Sequence, residues 1–364
     1  MRLPRRPLLL ALGALAVAAA AGASLYLPYR GFRGSVIVDI PRGSGIGAMA
    51  SRLTQAGVIR FRWQWLLARA LRPGDRLQAG EYLFEHPASV WQIFERMVRG
   101  DVFYYELTVP EGYNLFDIAS ALDQLGVIGG EDFLRAARDP SLIRDLAPEA
   151  PTLEGYLFPD TYRITRHMTA AQLCRQMTDR FRAVWSGLNT AAPVHETVTL
   201  ASLIEKETAL PEERPLVASV FRNRLRRGMR LECDPTAIYA ALLDDRYRGA
   251  LYRSDLEHPH RYNTYQHAGL PPGPIANPGL ASLKAALQPA ETPYLYFVAR
   301  PDGSGRHLFS RTLDEHQRAV RKYRRGIGRI LQTAPPGAVP GRRTGHPHRR
   351  AGVGRTAPAP GSGL

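Results

Sequence analysis

Apolar residues recur along this chain in short helical stripes separated by Gly and Pro, and one such arrangement occurs twice. Residues 38–59, VDIPRGSGIGAMASRLTQAGVI, align without a gap with residues 107–128, LTVPEGYNLFDIASALDQLGVI. Each copy reads as a short strand, a Pro-x-Gly turn and an amphipathic helix. Ile46, Met49, Ala50 and Leu53 in the first copy, and Leu115, Ile118, Ala119 and Leu122 in the second, fall at helical spacing. Gly57 and Gly126 close the two helices. Between the copies, WQWLLARAL and SVWQIFERMVRG continue the helical pattern with one apolar face each, the ordinary mark of packing into a core.

After Ala150 the pattern changes. TLEGYLFPDTYRI opens a region rich in Tyr, Phe and Pro, which predicts a domain boundary near Pro151. EERPLVASVFRNRLRRG reads as a helix with Val217, Val220, Phe221 and Leu225 on one stripe, stopped by Gly228. ANPGLASLKAAL predicts another, with Asn277 as N-cap and Pro278 in its first turn. YLYFVA and RHLFS flank RPDGSG as a β-hairpin, and Thr312 with Glu315 forms a capping box for the helix that follows. Two segments lie outside this pattern. Residues 8–27 carry no charge and are long enough to predict a transmembrane helix, with residues 1–7 on the cytoplasmic side. A cleaved signal peptide is the alternative, because AGAS at residues 21–24 offers small residues for a peptidase. Residues 333–364 are Pro, Gly, Ala and Arg without apolar periodicity, the composition of a disordered basic tail.

Composition adds a formal charge of +15, carried almost wholly by arginine, since Lys206, Lys284 and Lys322 are the only lysines. Such a surface favours anionic surroundings. Nucleic acid is not an expected partner, because the basic tail lacks aromatic residues for base stacking. Cys174 and Cys233 are too few for a disulfide framework, and His258 and His260 in EHPHRY lack metal-ligand spacing. No metal or organic cofactor is expected.

The candidate chemistry lies in LASLIEKET, residues 200–208. On a helix, Glu205 shares a face with Val198, Ala201, Ser202 and Thr208, while Glu207 lies about 200° around the axis. The two acids do not act as a pair. On the small, partly apolar face, desolvation would raise the pKa of Glu205 toward the range a general acid needs. The alternative is a helix end meeting water. EGYLFPDTY, DPTAIY and YNTYQHAGLPPGPIANPG are loop-like and dense in Tyr, Asn, Thr and Asp, a mixture that suits a carbohydrate groove or, for Phe158 and Tyr162, a core.

GYLFPDTY, ASLIEKET, VFRNRL, DPT, YNTY, GLPPGPIANPG and YLYFV, in this order, resemble the YceG-like (MltG) family of endolytic murein transglycosylases. The resemblance implies an α+β fold: an N-terminal transmembrane helix, two small LysM-like βα modules and a larger mixed α/β catalytic domain with a hairpin near its C-terminal end. The modules would occupy residues 35–105, with a helical insertion, and 106–150, and the catalytic domain 151–332. The implied activity is cleavage of the MurNAc-β-1,4-GlcNAc bond within peptidoglycan strands, leaving 1,6-anhydroMurNAc ends and trimming or terminating nascent strands. The implied location is the inner membrane, single-pass, with the catalytic domain on the periplasmic side and cell-wall synthesis enzymes as neighbours. The family's catalytic glutamate is carried onto Glu205, and Glu154, Tyr156, Asp234, Asn263 and Tyr265 lie in matching motifs as substrate-binding candidates. Glu232 and Cys233 depart from the family's usual Gln and small residue before Asp-Pro-Thr. Two other functions remain open: a muramidase-type hydrolase using Asp234 or Glu232 as second carboxylate, and a noncatalytic peptidoglycan-binding scaffold.

Overall fold

The computed structural model describes residues 5–333, with side chains from residue 9 to residue 324. The tail expected over residues 333–364 lies, apart from Thr333, outside the described residues, as do residues 1–4. The described residues fall into two compact units, one built from residues up to Glu106 with Arg163–His167, the other from Leu107–Tyr162 and residues 168–333.

The N-terminal unit contains α1 (Arg5–Ser24), β1 (Val36–Ile40), α2 (Ile46–Gln55), α3 (Arg62–Leu71), β2 (Gly80–Phe84) and α4 (Val90–Arg99). β1 and β2 pair antiparallel with Val38 opposite Tyr82, and the buried faces of α2, α3 and α4 contribute Leu53, Trp65, Ile93, Phe94 and Met97 to one core. α4 forms where the pattern predicts it because both ends are capped. Ser89 Oγ accepts from the Gln92 N–H at 3.2 Å, Gln92 Oε1 accepts from the Ser89 N–H at 2.9 Å, and Gly100 takes the left-handed conformation.

The apolar N-terminal stretch does form a helix. However, no helix among the described residues is long and apolar enough to cross a membrane, which corrects the expected transmembrane helix over residues 8–27. α1 begins on Arg5 and Arg6. Much of the helix is alanine and glycine, which are less apolar than the leucine and valine of a strongly hydrophobic span. The stretch also ends inside protein: Leu25 is fully buried, and Gln64 Nε2 donates to both the carbonyl and the hydroxyl of Ser24.

β3 (Tyr105–Thr108) and β4 (Thr161–Ile164) each have residues in both units, and the C-terminal unit contains α5 (Leu115–Leu125), α6 (Gly130–Ala137), α7 (Ala170–Gly187), α8 (Val194–Glu207), α9 (Arg214–Arg226), α10 (Asp234–Leu243), α11 (Arg253–Leu256), α12 (Leu280–Leu287), β5 (Tyr296–Ala299), β6 (His307–Ser310) and α13 (Leu313–Thr333). β5 and β6 form the expected antiparallel hairpin, with Phe297 opposite Phe309. α8 is its central helix: Val198, Ala201, Leu203 and Ile204 are fully buried, and α9 and α12 pack on it.

Both copies of the repeat fold as strand, turn and helix, β1 with α2 and β3 with α5. The second is the better capped, since Asn114 Oδ1 accepts from the N–H groups of Phe116 and Asp117, each at 2.9 Å. Two local expectations change. α12 starts at Leu280 with Gly279 as its cap, because the Asn277 side chain is committed elsewhere, accepting from the N–H groups of Gly155 and Leu157. Phe158 and Tyr162 are buried core residues.

Candidate active site

The C-terminal unit holds a cavity of about 1270 Å³. One wall comes from the turn and helix of the second repeat copy, through Tyr113, Asn114 and Asp117. The facing parts come from the end of α8, from α9 and α10, and from the hairpin. Lys206 Nζ donates to the Gly112 carbonyl at 3.1 Å and so pins the repeat's turn to the end of α8.

The two glutamates of that helix end have opposite surroundings. Glu205 faces inward with Val198, Ala201 and Ser202, all fully buried, and is itself 6% exposed. Its Oε1 accepts from Arg214 Nη2 at 2.8 Å and its Oε2 from the Gly279 N–H at 3.0 Å. Arg214 is buried as well and also reaches Glu111 Oε2 at 3.5 Å. The sequence led to an acid isolated among apolar groups; the structure gives it a cationic partner and no place on the cavity lining, which includes Lys206 and Glu207 but not Glu205.

Glu207 is half-buried and lines the cavity. Burial pushes its pKa up to about 7, a hydrogen bond from the Cys233 thiol pulls it back, the Asp234 charge adds to the rise and the Arg224 guanidinium opposes it. Asp234 opens α10 and lines the same cavity. Tyr265, also on the lining, donates its hydroxyl to Asp234 Oδ1 at 2.5 Å. Burial and the neighbouring Asp234 carboxylate push the Tyr265 phenol well up, so it remains a donor at neutral pH. The arrangement is a protonatable carboxyl beside an ionisable one, with a phenol fixing the second.

Glu232 and Cys233, the two departures from the family pattern, act on this side and not on Glu205. Cys233 is buried, its N–H donates to Thr264 Oγ1 at 3.0 Å, and its thiol is bound to Glu207. Glu232 takes a positive φ of 50° and accepts from Arg224 Nη1 at 3.1 Å. Cys174 and Cys233 are both free thiols.

Of the other sequence candidates, Glu154, Tyr156 and Asn263 belong to the framework. Glu154 is 1% exposed and accepts from the Leu115 N–H and the Tyr239 hydroxyl, each at 2.9 Å, and from Asn277 Nδ2 at 3.1 Å. Burial raises its pKa to about 8 against the pull of the Leu115 and Tyr239 donors. Gly155, at φ +87°, lets the chain turn there, since a Cβ would collide with Pro274 and Val198. Tyr156 is fully buried, its hydroxyl 2.8 Å from His195 Nδ1. Asn263, also fully buried, donates to the carbonyls of Asp255, Leu256 and His258 and accepts from the Tyr265 N–H at 3.1 Å, so it shapes the loop that presents Tyr265. Sequence reasoning thus placed Asp234 and Tyr265 on the cavity and passed over Glu207. The available signal was helical phase: the face that Glu205 shares is made of residues suited to a core, which leaves the acid two positions on to face outward.

The sequence profile of the YceG-like family matches residues 38–322. An endolytic murein transglycosylase of Bacillus subtilis (strain 168) is 34% identical over 310 residues, covering 79% of this chain and 85% of the relative. Another of Streptococcus pneumoniae (serotype 2, strain D39) is 28% identical over 327 residues, covering 79% of this chain and 58% of the relative. The crystal structure of a YceG-like protein from Listeria monocytogenes superposes with a TM-score of 0.51 at 33% identity, covering 79% of this chain and 99% of that one. With most of its length matched by the profile and by a relative of this identity, the chain belongs to the YceG-like family.

Proposed function

We propose that this chain is an endolytic transglycosylase of peptidoglycan in which Glu207 moves the proton at both ends of the reaction. The carrying observation is the contrast on α8: Glu207 lines the cavity with a pKa raised to about 7, while Glu205 is enclosed by Arg214 and the Gly279 amide. Protonated Glu207 donates to the oxygen that links MurNAc C1 to GlcNAc C4, and the C1–O bond breaks. The resulting carboxylate takes the proton of the MurNAc C6 hydroxyl as O6 bonds to C1, which closes the 1,6-anhydro ring and restores the acid. No water is consumed. One carboxyl suffices because the sugar supplies its own nucleophile, whereas a hydrolase needs two acids with a water or a covalent sugar between them. Asp234, held by the Tyr265 hydroxyl, bears on this acid by placing negative charge beside it. Glu205, with Arg214, has a structural part.

The activity for which the relatives are named supports the reaction class, and the cavity's mixture of polar and aromatic walls suits a sugar polymer. The two repeat copies are read as LysM-like modules that engage the strand, and cleavage inside strands would trim or end them where synthesis enzymes extend them. The test is digestion of intact sacculi by the purified chain, with product masses measured. The proposal expects anhydro-ended fragments from within strands and their loss in Glu207→Gln. Products heavier by one water would establish a muramidase-type hydrolase, with Asp234 or Glu232 as the candidate second carboxylate. Strand binding without cleavage by the unmutated chain would establish a scaffold.

A further inference from the structure

A carboxylate–imidazole pair, Glu213 with His307, touches the cavity through its imidazole. Glu213 caps the start of α9 and is buried. Its Oε1 accepts from the backbone N–H of His307 at 2.9 Å, and its Oε2 lies 2.7 Å from His307 Nδ1. Glu213 thus holds the imidazole through both the backbone and the ring of His307. That leaves Nε2 as the free nitrogen; it makes no hydrogen bond among the described residues, and His307 lines the cavity. Among the described residues the hydrogen bonds of this pair do not reach Glu207. Beside the imidazole is an apolar wall. Phe297 meets His307 edge-on, ring centroids 5.4 Å apart at 88°, and Phe221 meets Phe297 at 6.1 Å, both phenylalanines also lining the cavity.

A single oriented ring nitrogen next to flat rings suits a sugar, whose hydroxyl pairs with the nitrogen while its C–H face packs on the aromatics. Resting on the reading of the chain as a glycan-cleaving enzyme, we infer that His307, oriented by Glu213 and flanked by Phe297, binds a saccharide unit of the strand away from the bond that is cut. This cavity end then holds the polymer on one side of Glu207, and its loss falls on affinity for strands and not on the chemical step.

The test is equilibrium binding of peptide-free glycan strands, by calorimetry, to full-length Glu207→Gln protein carrying a second substitution at His307. His307→Ala is expected to weaken binding about tenfold, the scale of one hydrogen bond lost at a desolvated site, with His307→Gln restoring part of it through its amide oxygen. In the otherwise unmutated enzyme, the same His307→Ala change is expected to raise KM for polymeric strands and to leave kcat the less affected. Should His307→Ala fail to fold, Phe297→Leu, which keeps bulk and removes the flat ring, is expected to weaken binding about threefold. Unchanged binding by folded His307→Ala, a loss confined to kcat, or a loss seen only with peptide-bearing strands would overturn the inference. If Glu207→Gln protein alone binds no glycan, it is the function reading that fails, because that failure appears before His307 is touched.

Discussion

On one side of the last turn of α8, Glu205 is closed in by Arg214 and the Gly279 amide; on the other, Glu207 faces the cavity with Asp234 beside it. Two residues of sequence separate them, and helical geometry turns that step into opposite directions. Both carboxyls are withdrawn from bulk water, so burial by itself does not distinguish a structural acid from a reacting one. What differs is the partner. A guanidinium and an N–H consume both oxygens of Glu205, whereas Glu207 has a weak thiol donor and a neighbouring anion, and it keeps an open side. A carboxyl that must give up and regain a proton needs the second environment.

The comparison can be broken most forcefully at Arg214. Arg214→Ala leaves Glu205 buried without its cation and is expected to destabilise the protein by about 4 kcal/mol, the usual scale for halving a buried ion pair, measured by denaturant unfolding. Glu205→Gln, which keeps an acceptor for the Gly279 N–H, is expected to cost somewhat less, roughly 3 kcal/mol. A cost near zero for both would mean that the pair does not organise the α8–α9 end.

Glu207 and Glu154 sharpen the contrast through pH. Both have folded-state values raised above the 4.5 of an ordinary glutamate, to about 7 and about 8. The folded state therefore holds protons that the unfolded chain releases, and the stability they contribute is fully present below pH ~4.5 and lost as pH rises toward 8. Thermal unfolding at constant ionic strength is expected to show a Tm that falls over this interval, less so in Glu154→Gln. Turnover follows the same sign, because the acid must be protonated to act: above pH ~7 it should decline about tenfold per unit. Asp234→Asn removes a charge that raises Glu207, so the decline should begin at lower pH. The smallest effect is expected from Tyr265→Phe, a fewfold loss in turnover as Asp234 loses one hydrogen bond.

Local features of the fold were legible because they obey local rules. The repeat, the hairpin around RPDGSG, the α4 boundaries and the Thr312–Glu315 box all appear where residue pattern puts them. Helical phase also told correctly that Glu205 points toward packed residues. It could not tell what waits there, since Arg214 reaches it from the next helix and Gly279 from 74 residues on. Glu154, Tyr156 and Asn263 were misleading for a related reason. Polar residues in Tyr- and Pro-rich loops look alike whether they meet a sugar or satisfy buried backbone, and here they satisfy the Leu115 N–H, His195 and three loop carbonyls. The second repeat copy carried a further lesson. A composition change at Pro151 suggested a boundary, yet the fold groups residues from Leu107 with the cavity they help to wall. For the N-terminal helix, absence of charge was read as a span, while its arginine start and the buried Leu25 at its end set its limits.

The central claim is that Glu207, not Glu205, transfers the proton. Its most direct test is turnover of glycan strands by folded Glu207→Gln and folded Glu205→Gln, compared side by side at pH 6 and corrected for the folded fraction of each. The account predicts a loss of about 10³-fold or more for Glu207→Gln and less than about tenfold for Glu205→Gln. The reverse order, with Glu207→Gln active and Glu205→Gln inert while fully folded, would contradict it.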